Sequence, residues 1–166
     1  MRALAAFLVT LATSSAASAH ITLETTSTLP GSYAKVVLRV THGCAGSATT
    51  AIEVHVPEGF RFAKGQPKPG WTISYQRAEL AMPVQLHGRS LAETTAVIRW
   101  TGGPLADDQF DDFNLLGQIS QSASGSLPFR VLQSCEGGAT DWSGPPGSKT
   151  PAPILKLTPA ASPAKR

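Results

Sequence analysis

The sequence has little of what soft-metal and dithiol redox chemistry require. Its 166 residues include only two cysteines and two methionines, one of which is the initiator. This scarcity argues against a thioether-rich metal site, and the chain has no CxxC motif. The hydrolase signatures G-x-S-x-G and HExxH are absent too. The sequence therefore predicts neither a redox dithiol nor an ordinary hydrolytic site.

Long apolar runs are also lacking, apart from a short one at the start. Residues 3–12 are apolar behind Arg2, and Ala17-Ser18-Ala19 fits the recognition site of signal peptidase. About ten apolar residues are too few to cross a bilayer, which needs roughly twenty. The sequence therefore predicts a cleavable signal peptide over residues 1–19, a periplasmic or extracellular product without a membrane span, and a mature chain beginning at His20. A buried N-terminal helix is the alternative.

The charge of the mature chain is unevenly distributed. Residues 20–145 carry nine Lys and Arg against eleven Asp and Glu, a net charge of −2, whereas residues 146–166 carry four basic residues and no acid. So sparse a basic segment gives no reason to expect a nucleic-acid partner. We interpret residues 20–145 as one domain and residues 146–166, rich in Pro, Ala, Ser and Lys, as a disordered tail. Nothing in the sequence specifies an oligomeric state.

The two cysteines, Cys44 and Cys135, are predicted to form one disulfide. An even and minimal count is typical of a structural bridge in an oxidising compartment. The alternative is a pair that ligates metal or does redox work, which the absence of a CxxC motif does not favour.

The chain pattern is β throughout. Short runs rich in Val, Ile, Thr and aromatic residues alternate with Gly and Pro turns, and no sustained helical period occurs. The predicted strands span residues 21–25, 33–41, 49–56, 60–63, 71–76, 94–100, 113–119, 127–133 and 139–142. Regularly spaced short strands predict an all-β, two-sheet sandwich of immunoglobulin-like or cupredoxin-like type.

Four carboxylates are concentrated in residues 107–112, Asp-Asp-Gln-Phe-Asp-Asp. Hard cations such as Ca²⁺ need several oxygen ligands, so a calcium loop is one interpretation. The segment lacks the spacing and the glycine of an EF-hand loop, which favours a solvated acidic turn.

His20 would offer an unusual set of donors as a free N-terminal residue. Its α-amine and its Nδ1 can chelate one ion in a six-membered ring, which suits Cu(II), with Zn(II) as the competitor. Both nitrogens must be deprotonated, so affinity is expected to fall as the pH is lowered. A carboxylate would complete the site: Glu24 shares the strand face of His20, and Glu53 points away from the apolar face of its own strand.

The order of motifs along residues 20–145 resembles the YcnI-like family of exported bacterial copper-binding domains. The matching segments are His20-Ile21-Thr22-Leu23, Gly31-Ser32-Tyr33, residues 39–46 (Arg-Val-Thr-His-Gly-Cys-Ala-Gly), residues 52–59 (Ile-Glu-Val-His-Val-Pro-Glu-Gly), Lys68-Pro69-Gly70-Trp71, Trp100-Thr101-Gly102-Gly103, residues 107–113, and Gln133-Ser134-Cys135-Glu136 followed by Gly138 and Trp142.

The resemblance implies a particular copper site, a histidine brace built on one histidine. By motif position, the amine and imidazole of His20 would hold Cu(II), Glu53 would supply a carboxylate with Glu24 as its substitute, and Trp142 would lie beside the metal. The implied function is copper sequestration, or delivery to a copper-receiving protein, without catalysis.

Two further interpretations belong to other functional classes. A copper-dependent oxidative enzyme would need a second imidazole to give three nitrogen ligands, and the remaining histidines are His42, His55 and His87. No spacing singles out one of them. The other alternative is a plain adhesion or interaction module in which the N-terminal histidine is incidental.

Overall fold

The computed structural model describes residues 20–86 and 88–158, and all the regular elements in these ranges are β-strands. They are β1 (Thr22–Leu23), β2 (Ser27–Thr28), β3 (Tyr33–Val40), β4 (Thr49–His55), β5 (Phe60–Gly65), β6 (Trp71–Leu86), β7 (Arg89–Leu105), β8 (Asp111–Ile119), β9 (Ser126–Pro128), β10 (Arg130–Cys135), β11 (Gly138–Trp142) and β12 (Ile154–Leu157). The predicted signal peptide and His87 lie outside the described residues. Within the described ranges, no helix has the length and apolar character to cross a membrane.

The strands form two main sheets and one small one. The four-stranded sheet has the order β1-β3-β8-β5, and the five-stranded sheet has the order β11-β10-β4-β7-β6. β2, β12 and β9 form a separate three-stranded sheet. The predicted all-β sandwich is confirmed, and β1 and β11 are each the edge strand of their main sheet.

The core lies between the two main sheets because the apolar residues alternate along their strands. In β4, Ile52 and Val54 are fully buried while Glu53 between them is only half-buried. Aromatic rings fill the centre: the ring of Phe113 meets that of Trp71 at 5.0 Å and that of Trp100 at 5.7 Å, both edge to face. Each fully buried large side chain contributes about 1.5–3 kcal/mol to stability.

The hairpin formed by β6 and β7 is longer than the sequence predicted. Strands were expected over 71–76 and 94–100, but pairing continues from Trp71↔Gly102 to Leu86↔Arg89. The outer part of this hairpin pairs only with itself, since β4 follows β7 no further than Val97. Its residues are mostly exposed and lack the apolar alternation that marks a half-buried strand.

One predicted strand, 127–133, is divided between two sheets. β9 belongs to the small sheet and β10 to the five-stranded sheet. Phe129 lies between them, fully buried, with its ring 5.3 Å from that of Phe60. The pattern of residues 127–133, Leu-Pro-Phe-Arg-Val-Leu-Gln, therefore did not reveal the change of sheet at Phe129.

The prediction of a disordered tail from residue 146 is wrong for the part that the structure describes. β12 pairs in parallel with β2 and antiparallel with β9. Leu155 is fully buried and Leu157 is 7% exposed, so both add to the core. Two leucines with alternating burial are sufficient to anchor this strand against the sandwich although its surroundings are rich in Pro and Ala. Residues 159–166 lie outside the described residues.

The predicted disulfide is confirmed. Cys44 and Cys135 are bonded, with their Cα atoms 5.8 Å apart and a separation of 91 positions in sequence. The bridge links the loop before β4 to the end of β10.

Candidate metal site

Trp142 is the last residue of β11 and points into the sandwich. It lies opposite Val131 of β10, which in turn lies opposite Val54 of β4. Residues that oppose one another in antiparallel strands share a face, and here that face is the core side. Trp142 is 3% exposed, so its indole is buried at the edge of the five-stranded sheet.

A buried glutamine holds this indole in place. Trp142 Nε1 donates a hydrogen bond of 2.9 Å to Oε1 of Gln133, which is fully buried. The Gln133 Nε2 donates to the carbonyl oxygen of His42 at 2.7 Å and to Thr49 Oγ1 at 2.8 Å. Gln133 therefore fixes both an aromatic ring and the backbone of a histidine. Sequence reasoning assigned it no role, although it stands in the motif Gln133-Ser134-Cys135.

Two imidazoles approach the indole. The ring of His20 lies 5.8 Å from that of Trp142 and the ring of His42 lies 6.0 Å from it, centroid to centroid, both edge to face. The pairing of Thr22 with Arg39 brings the chain start beside β3. His20 lies two residues before β1, and His42 lies two residues after β3.

The loop that carries His42 is tightly fixed. Gly43 N donates to Asp107 Oδ1 at 2.9 Å, and Cys44 and Ser47 exchange backbone hydrogen bonds of 3.0 and 3.1 Å. Only glycine fits at position 43, because a Cβ atom there would overlap the Ser47 carbonyl group. The disulfide at Cys44 anchors the same loop to β10.

The His20 side of the site opens to solvent. His20 lines a cavity of about 800 Å³ together with residues of β1. The other wall comes from the segment 147–154, part of the region that was predicted to be disordered. A small ligand can therefore reach His20 while Trp142 stays almost completely buried.

Glu53 is not brought to His20. It lies opposite Leu132 and Arg99 in the sheet, on the outer face, whereas Trp142 faces the core. Its carboxylate accepts from Arg99 at 3.2 Å and lies 3.0 Å from His55 Nε2. The β4 strand and its side-chain alternation thus separate this carboxylate from the two imidazoles.

Glu24, the substitute carboxylate, also has another partner. Its carboxylate lies 3.5 Å from the guanidinium of Arg39, which binds Asp112 through two hydrogen bonds of 2.9 and 3.0 Å. Glu24 follows His20 by four residues, which corresponds to about 13 Å in an extended chain. Glu24 directly follows β1 and His20 precedes it by two residues, so the two side chains lie at opposite ends of this edge strand.

The four carboxylates of residues 107–112 do not share a centre in the contacts described. Asp107 accepts from the His42 loop, Asp111 forms an ion pair with Lys68, and Asp112 binds Arg39. Three of these side chains therefore link neighbouring elements of the sandwich by separate contacts.

The donors that converge on this edge favour a transition metal. Across residues 20–86 and 88–158, no group of three or more His, Cys, Asp and Glu side chains is arranged to hold an ion. Two imidazoles beside an indole nevertheless suit an ion that prefers nitrogen, such as Cu(II) or Zn(II). The backbone nitrogen of His20 could add a third donor only as a free amine, because in the unprocessed sequence it is an amide.

The fold and this edge site define the class: a disulfide-linked, immunoglobulin-like β-sandwich with a histidine–indole cluster at one edge. The chain belongs to the family described as "Domain of unknown function (DUF1775)", whose model matches residues 20–157. The match includes β12 and confirms the YcnI-like resemblance found in the sequence.

A curated relative and a solved structure agree with this placement. The chain is 22% identical over 146 residues to the copper-binding protein CutI of Bacillus subtilis (strain 168), covering 87% of this chain and 65% of that protein. It thus spans 65% of the length of this relative. It also matches an uncharacterized protein of Nocardia farcinica with an immunoglobulin-like fold, at a TM-score of 0.65 and 26% identity over 83% of this chain and 97% of that chain.

Proposed function

We propose that this protein is exported, is cleaved after Ala19, and binds Cu(II) through the amine and imidazole of His20 beside Trp142. Its role would be to sequester copper outside the cytoplasm or to deliver it to a receiving protein. The contact between the His20 ring and the fixed indole of Trp142, at 5.8 Å, is the observation that carries the proposal. The name of the Bacillus subtilis relative, a copper-binding protein, supports it.

The chemistry of the two groups explains why they would act together. The His20 amine nitrogen and Nδ1 are the two ends of a path of only five bonded atoms, so both can bind one ion at little entropic cost. Among the divalent metals, Cu(II) has the highest affinity for such donors. The indole has no lone pair to give, but its π-face attracts cations and excludes water. The cavity beside His20 gives copper a route to the donors.

A carboxylate ligand remains part of the prediction from the sequence. Glu53 is the residue that the resemblance implies and Glu24 is its substitute. Either would have to leave the arginine that it contacts in this structure, Arg99 or Arg39 respectively, before it could bind the ion.

The test is a comparison of two secreted forms. Protein whose N-terminus is verified as His20 is titrated with Cu(II) beside a form that keeps one extra alanine ahead of His20. We expect affinity to fall at least about 100-fold in the extended form, a loss of about 2.7 kcal/mol, because the amine donor becomes an amide. Equal binding by both forms would leave His20 incidental and favour the interaction module.

A second candidate, a copper-dependent oxidative enzyme, is favoured by one observation. Of the two candidates for a second imidazole that the structure describes, His42 and His55, His42 is the one whose ring lies near Trp142. Ascorbate would supply two electrons and dioxygen would accept them with two protons as hydrogen peroxide. Sustained peroxide production or polysaccharide oxidation by the copper-loaded protein would identify the enzyme, and we expect none beyond the background of free copper.

A further inference from the structure

We propose that His42 is the second imidazole of the copper site, so that copper is held by three nitrogen atoms. This inference rests on the proposed function of His20. It assigns a ligand that the resemblance does not supply, since the family site implied by the motifs uses one histidine, a glutamate and a tryptophan. The juxtaposition of His20 and His42 against one indole carries it.

Position is the first argument. The rings of His20 and His42 lie at nearly equal distances, 5.8 and 6.0 Å, from the Trp142 ring. The antiparallel pairing of Thr22 with Arg39 brings the segment that starts at His20, two residues before β1, beside the end of β3, two residues before His42. Both histidines therefore share one aromatic neighbour, the indole of Trp142.

Orientation is the second argument. His42 Nδ1 is in hydrogen-bond contact with the carbonyl oxygen of Gly43. A carbonyl can only accept, so this contact requires a proton on Nδ1 and leaves Nε2 as the candidate metal donor of the ring. Histidines that bind metal ions characteristically donate their other N–H to a backbone carbonyl or carboxylate in this way.

Rigidity is the third argument. The His42 carbonyl is bound by the buried Gln133, the next amide is bound by Asp107, and Cys44 is covalently joined to Cys135. Metal sites require ligands that are held in place by supporting contacts. A mere surface histidine would not need its backbone fixed from three sides.

The remaining described histidine provides a contrast. His55 lies on the outer face of the five-stranded sheet, where its Nε2 is 3.0 Å from Glu53. It has the same side chain and is half-buried like His42, but it points away from the core side where Trp142 lies. His55→Ala is therefore the matched control for His42→Ala.

The experiment uses the mature protein beginning at His20, loaded with one equivalent of Cu(II). Pulsed electron paramagnetic resonance counts the coordinated imidazoles through their remote nitrogens, and a competition titration gives the affinity. We expect two imidazoles in the wild type and in His55→Ala. His42→Ala should show one coordinated imidazole and at least about a tenfold lower affinity for Cu(II). Even the loss of a residue that only supports a metal ligand lowers metal affinity by about this factor.

A second variant tests whether a loss of copper binding comes from misfolding rather than from the missing imidazole. His42→Gln keeps a polar side chain in the loop and should show the same single imidazole, with a melting temperature close to that of the wild type. Two imidazoles in the folded His42 variants, or one in the wild type, would overturn the proposal while leaving copper binding by His20 intact. Failure of the wild type to bind copper would overturn both proposals together.

Discussion

The two faces of the β11–β10–β4 part of the sheet carry polar residues of different kinds in different environments. On the outer face, Glu53 lies between His55 and Arg99, and Arg130 binds Asp141 through two hydrogen bonds of 2.7 and 3.0 Å. The carboxylates and guanidinium groups here are charged, and all of these side chains are partly exposed to water. The hydrogen bonds from Arg130 lower the pKa of Asp141, although burial opposes the shift.

On the core face, the polar groups are few, neutral and buried. Gln133 joins Trp142, Thr49 and the backbone of His42, and each of its two polar atoms has a described partner. A buried polar network of this kind is costly if any member loses its partner, whereas exposed ion pairs contribute little. Composition alone therefore does not locate the candidate metal site; the face of the sheet on which a residue lies must also be known.

The largest effect is expected from removing the covalent link behind the core-face cluster. A double Cys44→Ala and Cys135→Ala variant should lose about 4–5 kcal/mol of unfolding free energy, because the bridge closes a loop of 91 residues in the unfolded chain. Urea denaturation measures the loss. Reductant should destabilise the wild type by a similar amount and leave the variant unchanged; a reductant effect on the variant would refute this account.

The second largest effect is expected from replacing the buried amide of Gln133. Gln133→Leu leaves Trp142 Nε1, Thr49 Oγ1 and the His42 carbonyl without this partner, and we expect about 2–4 kcal/mol of destabilisation. Copper affinity should also fall by about 10–100-fold. The control is Gln76→Leu, an exposed glutamine on β6, with a change within about 0.5 kcal/mol. Equal effects of the two substitutions would show that the Gln133 network does not position the site.

The third effect concerns the indole. Copper bound at His20 should quench tryptophan emission, and Trp142→Phe should remove most of that quenching, since Trp142 lies at 5.8 Å from the His20 ring. The matched variant, Trp71→Phe, removes an indole that packs on Phe113 and should keep the quenching. If Trp71→Phe abolishes it instead, the copper lies elsewhere.

Much of the fold could be predicted from the sequence because it depends on local signals. The alternation of Ile52, Glu53 and Val54 predicts a half-buried strand, and two cysteines in a chain predicted to be exported predict one bridge. β12 could not be predicted, because it forms only where β2 and β9 provide a place for Leu155 and Leu157. That long-range burial outweighs a composition typical of disorder.

The residues of the candidate site likewise include some that the sequence could identify and some that it could not. His20 and Trp142 could be named from motifs, and the structure brings their rings together. Gln133 and His42 could not be assigned, because their roles arise from contacts across 91 residues of sequence. For Glu53, the sequence could predict the position on its strand. It could not predict how far Glu53 lies from the edge of the sheet, because that distance depends on the order of β11, β10 and β4.

The smallest effect is expected on the outer face. Glu53→Ala removes ion pairs with His55 and Arg99, which are partly exposed, so stability should change by no more than about 1 kcal/mol. The electron paramagnetic resonance spectrum of bound Cu(II) should be unchanged, because the strand alternation directs this carboxylate away from Trp142. An unchanged spectrum leaves Glu24 as the remaining sequence candidate, to be tested by Glu24→Ala. An altered spectrum with lower affinity would instead make Glu53 a ligand and require the outer face to rearrange when copper binds.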